Sequence, residues 1–335
     1  MSRARLAALL LSALAVASCL PGRLKETPHA ADAGPADPAV IARGEYLVVG
    51  VAGCGDCHTP RDASGKPDMS RWLAGVDDRF DVVPDDATRG AISTPNLTPD
   101  PTGLADWGDD EIKRAILDGT TDLGKPLYPL MPYYVFHNMT GADADAIVAY
   151  LRTIPKVAHA APPRQPLPLP LTAPASPIPD VAIPHTTLKS NDPNFARAER
   201  GRYLATSVAL CMDCHSAWRA GSSDPLDTTA LFAGGRPFSA REWGVTAPDG
   251  GAAPSIVYAY NITPHPSGLA GWKPPQVAKL LKKGLDDVGQ SICRPMPSGP
   301  TGTFGSLSDQ DALDIGLYVT TLPPIESGDI PQCPR

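Results

Sequence analysis

The stretch CGDCH at residues 54–58 decides how this chain is interpreted, and it recurs in altered form as CMDCH at residues 211–215. A Cys-x-x-Cys pair can be a redox disulfide, half of a zinc site or, with His directly after it, a covalent attachment point for haem. Zinc would need two more ligands per site, and neither half of the chain has a second Cys-x-x-Cys or a His-x-x-x-His. A redox disulfide would come with a β-α-β pattern, which is missing. The pattern therefore indicates two covalent haems c, one attached at Cys54 and Cys57 with His58 toward its iron, and one attached at Cys211 and Cys214 with His215 toward its iron.

The chain is a tandem duplication built around these two motifs. Gly44-x-Tyr46-Leu47 stands before the first motif at the same distance as Gly201-x-Tyr203-Leu204 before the second. Downstream, TPNLTPDPTGLADW at 94–107 matches YNITPHPSGLAGW at 260–272. Each half then closes with an apolar helix that ends at a Pro. Repetition of the same features in the same order predicts one structural unit used twice.

Met131 and Met296 are the predicted distal ligands of the two irons. Each follows the last Trp of the repeated loop by 24 residues and stands before a Pro, in PLMPYY and RPMPSG. A residue before Pro avoids helix, so either thioether could point from an extended loop into a haem crevice. Ordinary core packing is the alternative role for a Met. His137, His265 and Cys293 are competing ligands, but neither His has a counterpart at the matching place in the other half.

The first residues predict export and lipid attachment. Residues 1–18 combine basic residues with an apolar run too short to span a bilayer comfortably, which is typical of a signal peptide. VASC at 16–19 resembles the cleavage site of bacterial lipoproteins, so Cys19 is predicted to carry the lipid and residues 19–39 to form a tether. An ordinary secretory signal that happens to contain a Cys is the alternative. The protein is thus expected on the periplasmic face of a bacterial membrane.

The charge excludes nucleic acid as an expected partner. Residues 1–18 hold two of the 29 basic residues and none of the 36 acidic ones, so without them the net charge falls from −7 to −9. Such a surface would suit a basic redox partner, although a solvated acidic surface needs no partner. Of the seven cysteines, Cys293 and Cys333 remain after the motifs and the lipid site are assigned. In an exported protein this pair predicts a disulfide; ligation of iron by Cys293 is the alternative.

The secondary-structure signals are almost entirely helical. DDEIKRAILDG at 109–119 and PPQVAKLLKKG at 274–284 have apolar residues at helical spacing and end at Gly. Thr140-x-x-Asp143 and Ser308-x-x-Asp311 resemble capping boxes that open the two closing helices. Alternating strand patterns are nearly absent, apart from a short hairpin near 245–260.

Several sequence stretches resemble the bacterial diheme cytochromes c, and in particular the cytochrome subunits of membrane-bound alcohol and gluconate dehydrogenases. They are GEYLVVGVAGCGDCHTP at 44–60, the TPNLTPDPTGLADW loop and YPLMPYYVFHNMT at 128–140. The resemblance covers residues 40–155 and 195–323. It implies that His58 and His215 are proximal ligands and Met131 and Met296 distal ones. Those subunits carry three haem motifs, and this chain has two.

The predicted fold is therefore all-α, with two tandem class I cytochrome c-like domains. The first domain, residues 40–155 (the first half below), is joined to the second, residues 193–335 (the second half), by a Pro-rich linker at 156–192. The density of Pro in the linker predicts an extended strap with limited flexibility.

Transfer of electrons between redox proteins is the predicted function, from a dehydrogenase donor to a cytochrome or oxidase acceptor. With a His and a Met on each iron, neither iron would have an open position for a substrate, so no catalytic residue is predicted. The alternative is a catalytic diheme enzyme, either a peroxidase or an enzyme that oxidises sulfur compounds through a Cys-ligated haem.

Overall fold

The structure is a computed structural model of the 335-residue chain. The predicted signal peptide, Cys19 and Cys333 lie outside the residues that it describes. Within the described part, no helix is both long and apolar enough to cross a membrane. The described residues are 37–62, 65–84, 86–121, 124–162, 174–219, 222–245 and 254–331.

Helices make up most of the regular structure in the described ranges. Five belong to the first half, and the other five repeat much of their arrangement in the second. In chain order they are α1 Pro38–Tyr46, α2 Cys54–His58, α3 Asp109–Asp118, α4 Tyr133–Phe136, α5 Gly141–Leu151, α6 Phe195–Tyr203, α7 Cys211–Cys214, α8 Ala240–Trp243, α9 Pro274–Lys283 and α10 Asp309–Val319.

The prediction of an all-α fold is wrong, because each half also contains a small antiparallel sheet. In the first half β1 (Val76–Asp81) pairs with β2 (Ala91–Thr94), and in the second half β3 (Pro237–Ser239) pairs with β4 (Ile256–Tyr258). These strands are three to six residues long, and β1, VDDRFD, is mostly polar. Such short strands show little two-residue alternation of apolar and polar side chains. Only β4 lies where a short hairpin was predicted, near 245–260, and its partner β3 lies before that range.

The first and last helices of each half cross in close contact. A Cβ added to Gly44 in α1 would lie 1.8 Å from the carbonyl oxygen of Ala146 in α5, and 2.8 Å from the Cβ of Tyr150. The same contact recurs in the second half, where a Cβ on Gly201 in α6 would lie 1.9 Å from the carbonyl oxygen of Asp314 in α10. Only glycine allows the backbones to approach this closely.

The two halves share one hydrophobic core and exchange hydrogen bonds. Buried residues of both halves form a single continuous cluster. The Tyr46 hydroxyl donates to Asp311 Oδ2 at 2.6 Å, and the Tyr203 hydroxyl donates to Asp143 Oδ2 at 2.7 Å. Each tyrosine thus reaches the closing helix of the other half. The predicted division into domains at 155 and 193 stays a prediction.

The described end of the Pro-rich linker contacts both halves. The amide of Ile178 donates to the carbonyl oxygen of Tyr134 in the first half at 2.9 Å, and the amide of Ser176 donates to that of Ser223 in the second half at 2.7 Å. Ile178 is also buried. This part of the linker therefore contributes to the contact between the halves.

Candidate haem-binding site

Both Cys-x-x-Cys-His segments begin in the same way. α2 and α7 each follow a π-helical turn, at Leu47–Val51 and Leu204–Val208, a geometry that is frequent at functional sites. The residue before each helix has a positive φ, 64° at Gly53 and 58° at Leu210. Gly53 adopts this backbone without cost, whereas Leu210 is held in a region that a bulky side chain disfavours.

A backbone carbonyl orients the His of each motif. Nδ1 of His58 lies 2.9 Å from the carbonyl oxygen of Pro95, and Nδ1 of His215 lies 2.6 Å from that of Tyr260. Because a carbonyl oxygen only accepts, Nδ1 carries the proton and the neutral ring keeps its lone pair on Nε2, the nitrogen that can bind iron. Burial lowers the pKa of His58 to about 4 and lowers that of His215 as well, which keeps both rings neutral at neutral pH.

The repeated TPNLTP-type loop carries these carbonyls and is itself fixed by a buried Asn. Asn96 Nδ2 donates to the carbonyl oxygen of Val157 at 2.7 Å, and Asn261 Nδ2 donates to that of Ile325 at 2.7 Å. Each Asn directly follows the carbonyl that holds the His. The repetition of the loop in the sequence therefore has a physical cause, which the sequence analysis did not identify.

One continuous cavity of about 2080 Å³ brings the predicted site residues together. Its lining includes residues of both halves, and its walls are largely apolar. His137 and His265 are not among the described residues that line it. The cavity is lined by all eight predicted haem-binding residues, namely Cys54, Cys57, His58, Met131, Cys211, Cys214, His215 and Met296.

The competing ligands have other partners. Nδ1 of His137 lies 3.1 Å from the carbonyl oxygen of Leu117, and Nδ1 of His265 lies 2.9 Å from the hydroxyl of Ser267. Cys293 lines the cavity but is disulfide-bonded. The other four described cysteines are free, and the pairing of Cys293 with Cys333 stays a prediction because Cys333 lies outside the described residues.

Unpartnered donors near the motifs match the needs of a haem. Within the described residues, three buried side-chain N–H groups have no acceptor: Trp218 Nε1, Arg79 Nη2 and Arg61 Nε. Trp218 also lines the cavity. A haem would bring two propionates, which are anionic acceptors, together with a flat apolar ring that suits the walls. The cavity, the thiols and the neutral histidines therefore fit a covalently bound haem.

Two acidic residues of the motifs were missed by the sequence analysis. Asp56 and Asp213 stand directly before the second Cys of each motif, and an Arg donates to the backbone carbonyl of each. Arg236 also forms a buried ion pair with the Asp213 carboxylate at 2.5 Å. Burial alone would lower the pKa of Arg236, but the Asp213 carboxylate raises it above its ordinary value. Comparison of the two motifs could have found both residues.

A second pair of carboxylates lines the cavity away from the motifs. Glu242 Oε1 accepts a hydrogen bond from the Asp81 amide at 2.7 Å, and the Asp81 carboxylate forms an ion pair with Arg241. Burial and the neighbouring Asp81 carboxylate raise the pKa of Glu242 to about 7. The contact joins β1 of the first half to α8 of the second, which no pattern within one half could reveal.

Comparison with known proteins finds a similar family for the part of the chain that holds the first motif. Residues 41–155 match the cytochrome c family model, so this part of the chain is similar to cytochrome c domains. Such a domain binds haem c covalently through a Cys-x-x-Cys-His motif, and CGDCH is the motif within the matched residues.

Relatives extend the similarity over most of the chain. The chain is 27% identical to the alcohol dehydrogenase (quinone) cytochrome c subunit of Gluconacetobacter polyoxogenes, over 90% of this chain and 58% of that protein. It is 28% identical to the gluconate 2-dehydrogenase cytochrome c subunit of Pantoea cypripedii, over 86% of this chain and 60% of that protein. A diheme cytochrome c-type protein of Cereibacter sphaeroides is 38% identical over 34% of this chain and 36% of its own length.

These matches confirm the predicted resemblance to dehydrogenase cytochrome subunits and to diheme cytochromes c. The chain spans less than two thirds of the length of each of these relatives.

Proposed function

We propose that this chain is a diheme c-type cytochrome that carries electrons from a periplasmic or membrane dehydrogenase toward the respiratory chain. The observation that carries the proposal is the single cavity of about 2080 Å³, lined by both Cys-x-x-Cys-His motifs and by both candidate methionines. Sites that open into one cavity suit transfer between two cofactors. The similarity to cytochrome c subunits of dehydrogenases supports the same function.

The residues of each motif would have distinct roles in such a carrier. The cysteines Cys54, Cys57, Cys211 and Cys214 would hold the cofactors by thioether bonds, and His58 and His215 would be the proximal ligands. When bound, haem c supplies one-electron redox chemistry. The protein would set the potential through burial, through the hydrogen bond on each His, and through Met131 and Met296 as distal ligands, since Met ligation raises the potential relative to a second His.

The partners and location follow from the predicted N-terminus and charge. Export by residues 1–18 and lipid attachment at Cys19 would hold the protein at the periplasmic face of a membrane. Its excess of acid over base, 36 against 29 residues, would favour a redox partner with a basic docking surface.

A catalytic diheme enzyme is the second candidate function. The version with a Cys-ligated haem needs a free thiolate, whereas Cys293 is disulfide-bonded. The peroxidase version has one observation in its favour, since the carboxyl group of Glu242 lines the cavity and could serve as an acid or base. It also requires one distal position that opens, which two bound methionines would prevent.

Two spectra test the proposed function. An alkaline pyridine assay of haem c should count two haems per chain, and one in a Cys211→Ser/Cys214→Ser variant or in a Cys54→Ser/Cys57→Ser variant. The oxidised protein should show the weak absorption band that a methionine–iron bond gives. A count of one haem in the unchanged protein would contradict the diheme carrier.

Peroxide turnover separates the two candidate functions. A carrier should accept and donate electrons without consuming hydrogen peroxide when a reduced donor is present. Peroxide consumption together with a high-spin haem signal would favour the peroxidase, and Glu242→Gln would then be expected to slow the reaction.

A further inference from the structure

The attachment helix of the second half is bonded to the methionine loop of the first. Asp213, in the CMDCH motif, is buried, and its Oδ1 accepts a hydrogen bond from the Tyr134 hydroxyl at 2.6 Å. Tyr134 lies three residues after Met131, and the amide of Tyr133 donates to the Met131 carbonyl oxygen at 2.8 Å. Tyr134 therefore links the loop that carries Met131 to the Cys-x-x-Cys-His motif of the other half.

The same relationship holds with the halves exchanged. Asp56, in the CGDCH motif, accepts a hydrogen bond at Oδ2 from the Thr303 hydroxyl at 2.7 Å. Thr303 lies seven residues after Met296, and its neighbour Phe304 donates its amide to the carbonyl oxygen of Pro297 at 2.9 Å. This hydrogen bond joins the loop that carries Met296 to the turn that contains Thr303.

Each aspartate is also fixed within its own half. Arg236 forms a buried ion pair with Asp213 and donates to its backbone carbonyl oxygen at 3.0 Å. Arg79 donates to the backbone carbonyl oxygen of Asp56 at 2.6 Å. Hydrogen bonds to a carboxylate are stronger than those between neutral groups, so each aspartate can hold a loop of the other half in one position.

We propose that Asp213 and Asp56 are positioning residues for the methionine loop of the opposite half. The strength of the bond between Met131 and its iron would depend on Asp213, and that of Met296 on Asp56. The inference rests on the proposed function, because it assumes methionine ligation. It goes further in stating that neither distal ligand is positioned by its own half alone.

The consequence is an energetic coupling between the two haem sites. Loss of the buried hydrogen bond to either aspartate would allow the methionine loop of the other half to move. The equilibrium would then shift toward the form in which the Met is no longer bound to the iron. Coupling between sites is reciprocal, so a change at one motif alters the distal ligand of the other.

A double-mutant cycle in a background with one methionine tests the first connection. In Met296→His protein, the methionine–iron band reports on Met131 alone. Imidazole is added as a competing ligand, and its concentration at half loss of the band measures the strength of the Met131 bond. Tyr134→Phe and Asp213→Asn should each lower that concentration about tenfold, and the double variant should lower it no further than the stronger single one.

Tyr133→Phe is the matched control, because it removes the neighbouring buried hydroxyl, which accepts from the Ala175 amide in the linker. Its effect should be the same with Asp or Asn at position 213. The reciprocal cycle, Thr303→Val with Asp56→Asn in Met131→His protein, should give the same non-additivity for Met296 and serves if the first set does not fold.

The outcomes separate the two proposals. Absence of the methionine–iron band from the unchanged protein would overturn the proposed ligation and this inference together. A normal band with additive effects of Tyr134→Phe and Asp213→Asn would overturn only this inference. Non-additive effects, with an additive Tyr133→Phe control, would support it.

Discussion

The hydroxyl of Tyr46 and the carboxylate of Asp311, 265 positions apart in the chain, are joined by a hydrogen bond of 2.6 Å. The same hydroxyl accepts from the amide of Ser308, the N-cap residue of α10, at 3.1 Å. In a capping box the side chain at N3, here Asp311, would accept the hydrogen bond from that amide. Here the hydroxyl of Tyr46, from the other half, accepts it instead. The Asp311 carboxylate accepts hydrogen bonds from Arg200 and Tyr46.

Removing this hydroxyl should destabilise the whole fold. We expect Tyr46→Phe to lower the free energy of unfolding by about 1–3 kcal/mol, since the lost hydrogen bond is to a charged, buried group. Tyr203→Phe removes the equivalent bond to Asp143 and should cost a similar amount. Denaturant unfolding followed by circular dichroism measures both. An unchanged midpoint in both variants would contradict a stabilising contact between the halves.

Alanine should not be tolerated at the two helix crossings. Gly44→Ala and Gly201→Ala would each place a Cβ less than 2 Å from a backbone oxygen, so the helices must separate, at a cost of about 3 kcal/mol or more. Gly141→Ala is the matched control, because nothing lies within 4 Å of its added Cβ and Ala favours a helix over Gly by up to about 1 kcal/mol. In thermal unfolding, the midpoint temperature of Gly141→Ala should equal or exceed that of the unchanged protein.

Glu242 should make stability depend on pH. Its folded pKa of about 7 lies above the ordinary value of 4.5, so the folded state holds a proton that the unfolded state loses first. The free energy of unfolding should therefore fall as pH rises from about 4.5 to 7 and stay lower above pH 7. Because Glu242 is partly exposed and solvent screens its charge, we expect a fall of roughly 1–2 kcal/mol.

Glu242→Gln keeps the acceptor oxygen for the Asp81 amide and removes the ionisation. The variant should be more stable than the unchanged protein above about pH 7, and the difference should vanish below about pH 4.5. Denaturant unfolding across this pH range measures the difference. The exposed Glu45, changed to Gln, is the control, and a similar pH profile in both variants would argue against a specific role of Glu242.

The buried asparagines of the repeated loop should be essential for the orientation of each His. Asn96→Ala would remove the Nδ2 donor to the carbonyl oxygen of Val157 and would leave the amide of Thr98 without its Oδ1 acceptor, at a cost of about 2–4 kcal/mol. Asn261→Ala should behave in the same way. Both unfolding and the haem spectrum should change, whereas a variant with lower stability and an unchanged spectrum would limit the role of the loop to folding.

What could be predicted from the sequence is what repeats within it. The repeated motifs and the equal spacing from Trp to Met-Pro led to His58 and Met131 as candidate ligands, because the repeat preserves distances within one half. The first hairpin was not predicted because VDDRFD is too polar to show a strand period, and the predicted hairpin near 245–260 contains β4 but not its partner β3, since PFS is too short to show one.

Contacts between the halves could not be predicted in the same way. Tyr134 and Thr303 are not equivalent residues, yet they bond equivalent aspartates. No spacing in the chain relates them, because the relation arises only when the halves pack together. The tyrosines at 46 and 203 were recognised as repeated, but their partners lie in the opposite half and no pattern within one half points to them.

The shared cavity has a consequence for how the protein is made. Of the thiols that would react with the vinyl groups, Cys211 is buried, with only 7% of it exposed, and the other three are partly buried once the halves have packed. We therefore expect covalent attachment to take place on a chain whose halves are still apart. Haem attachment would then come before the two halves pack together, and the halves would pack around the attached haems.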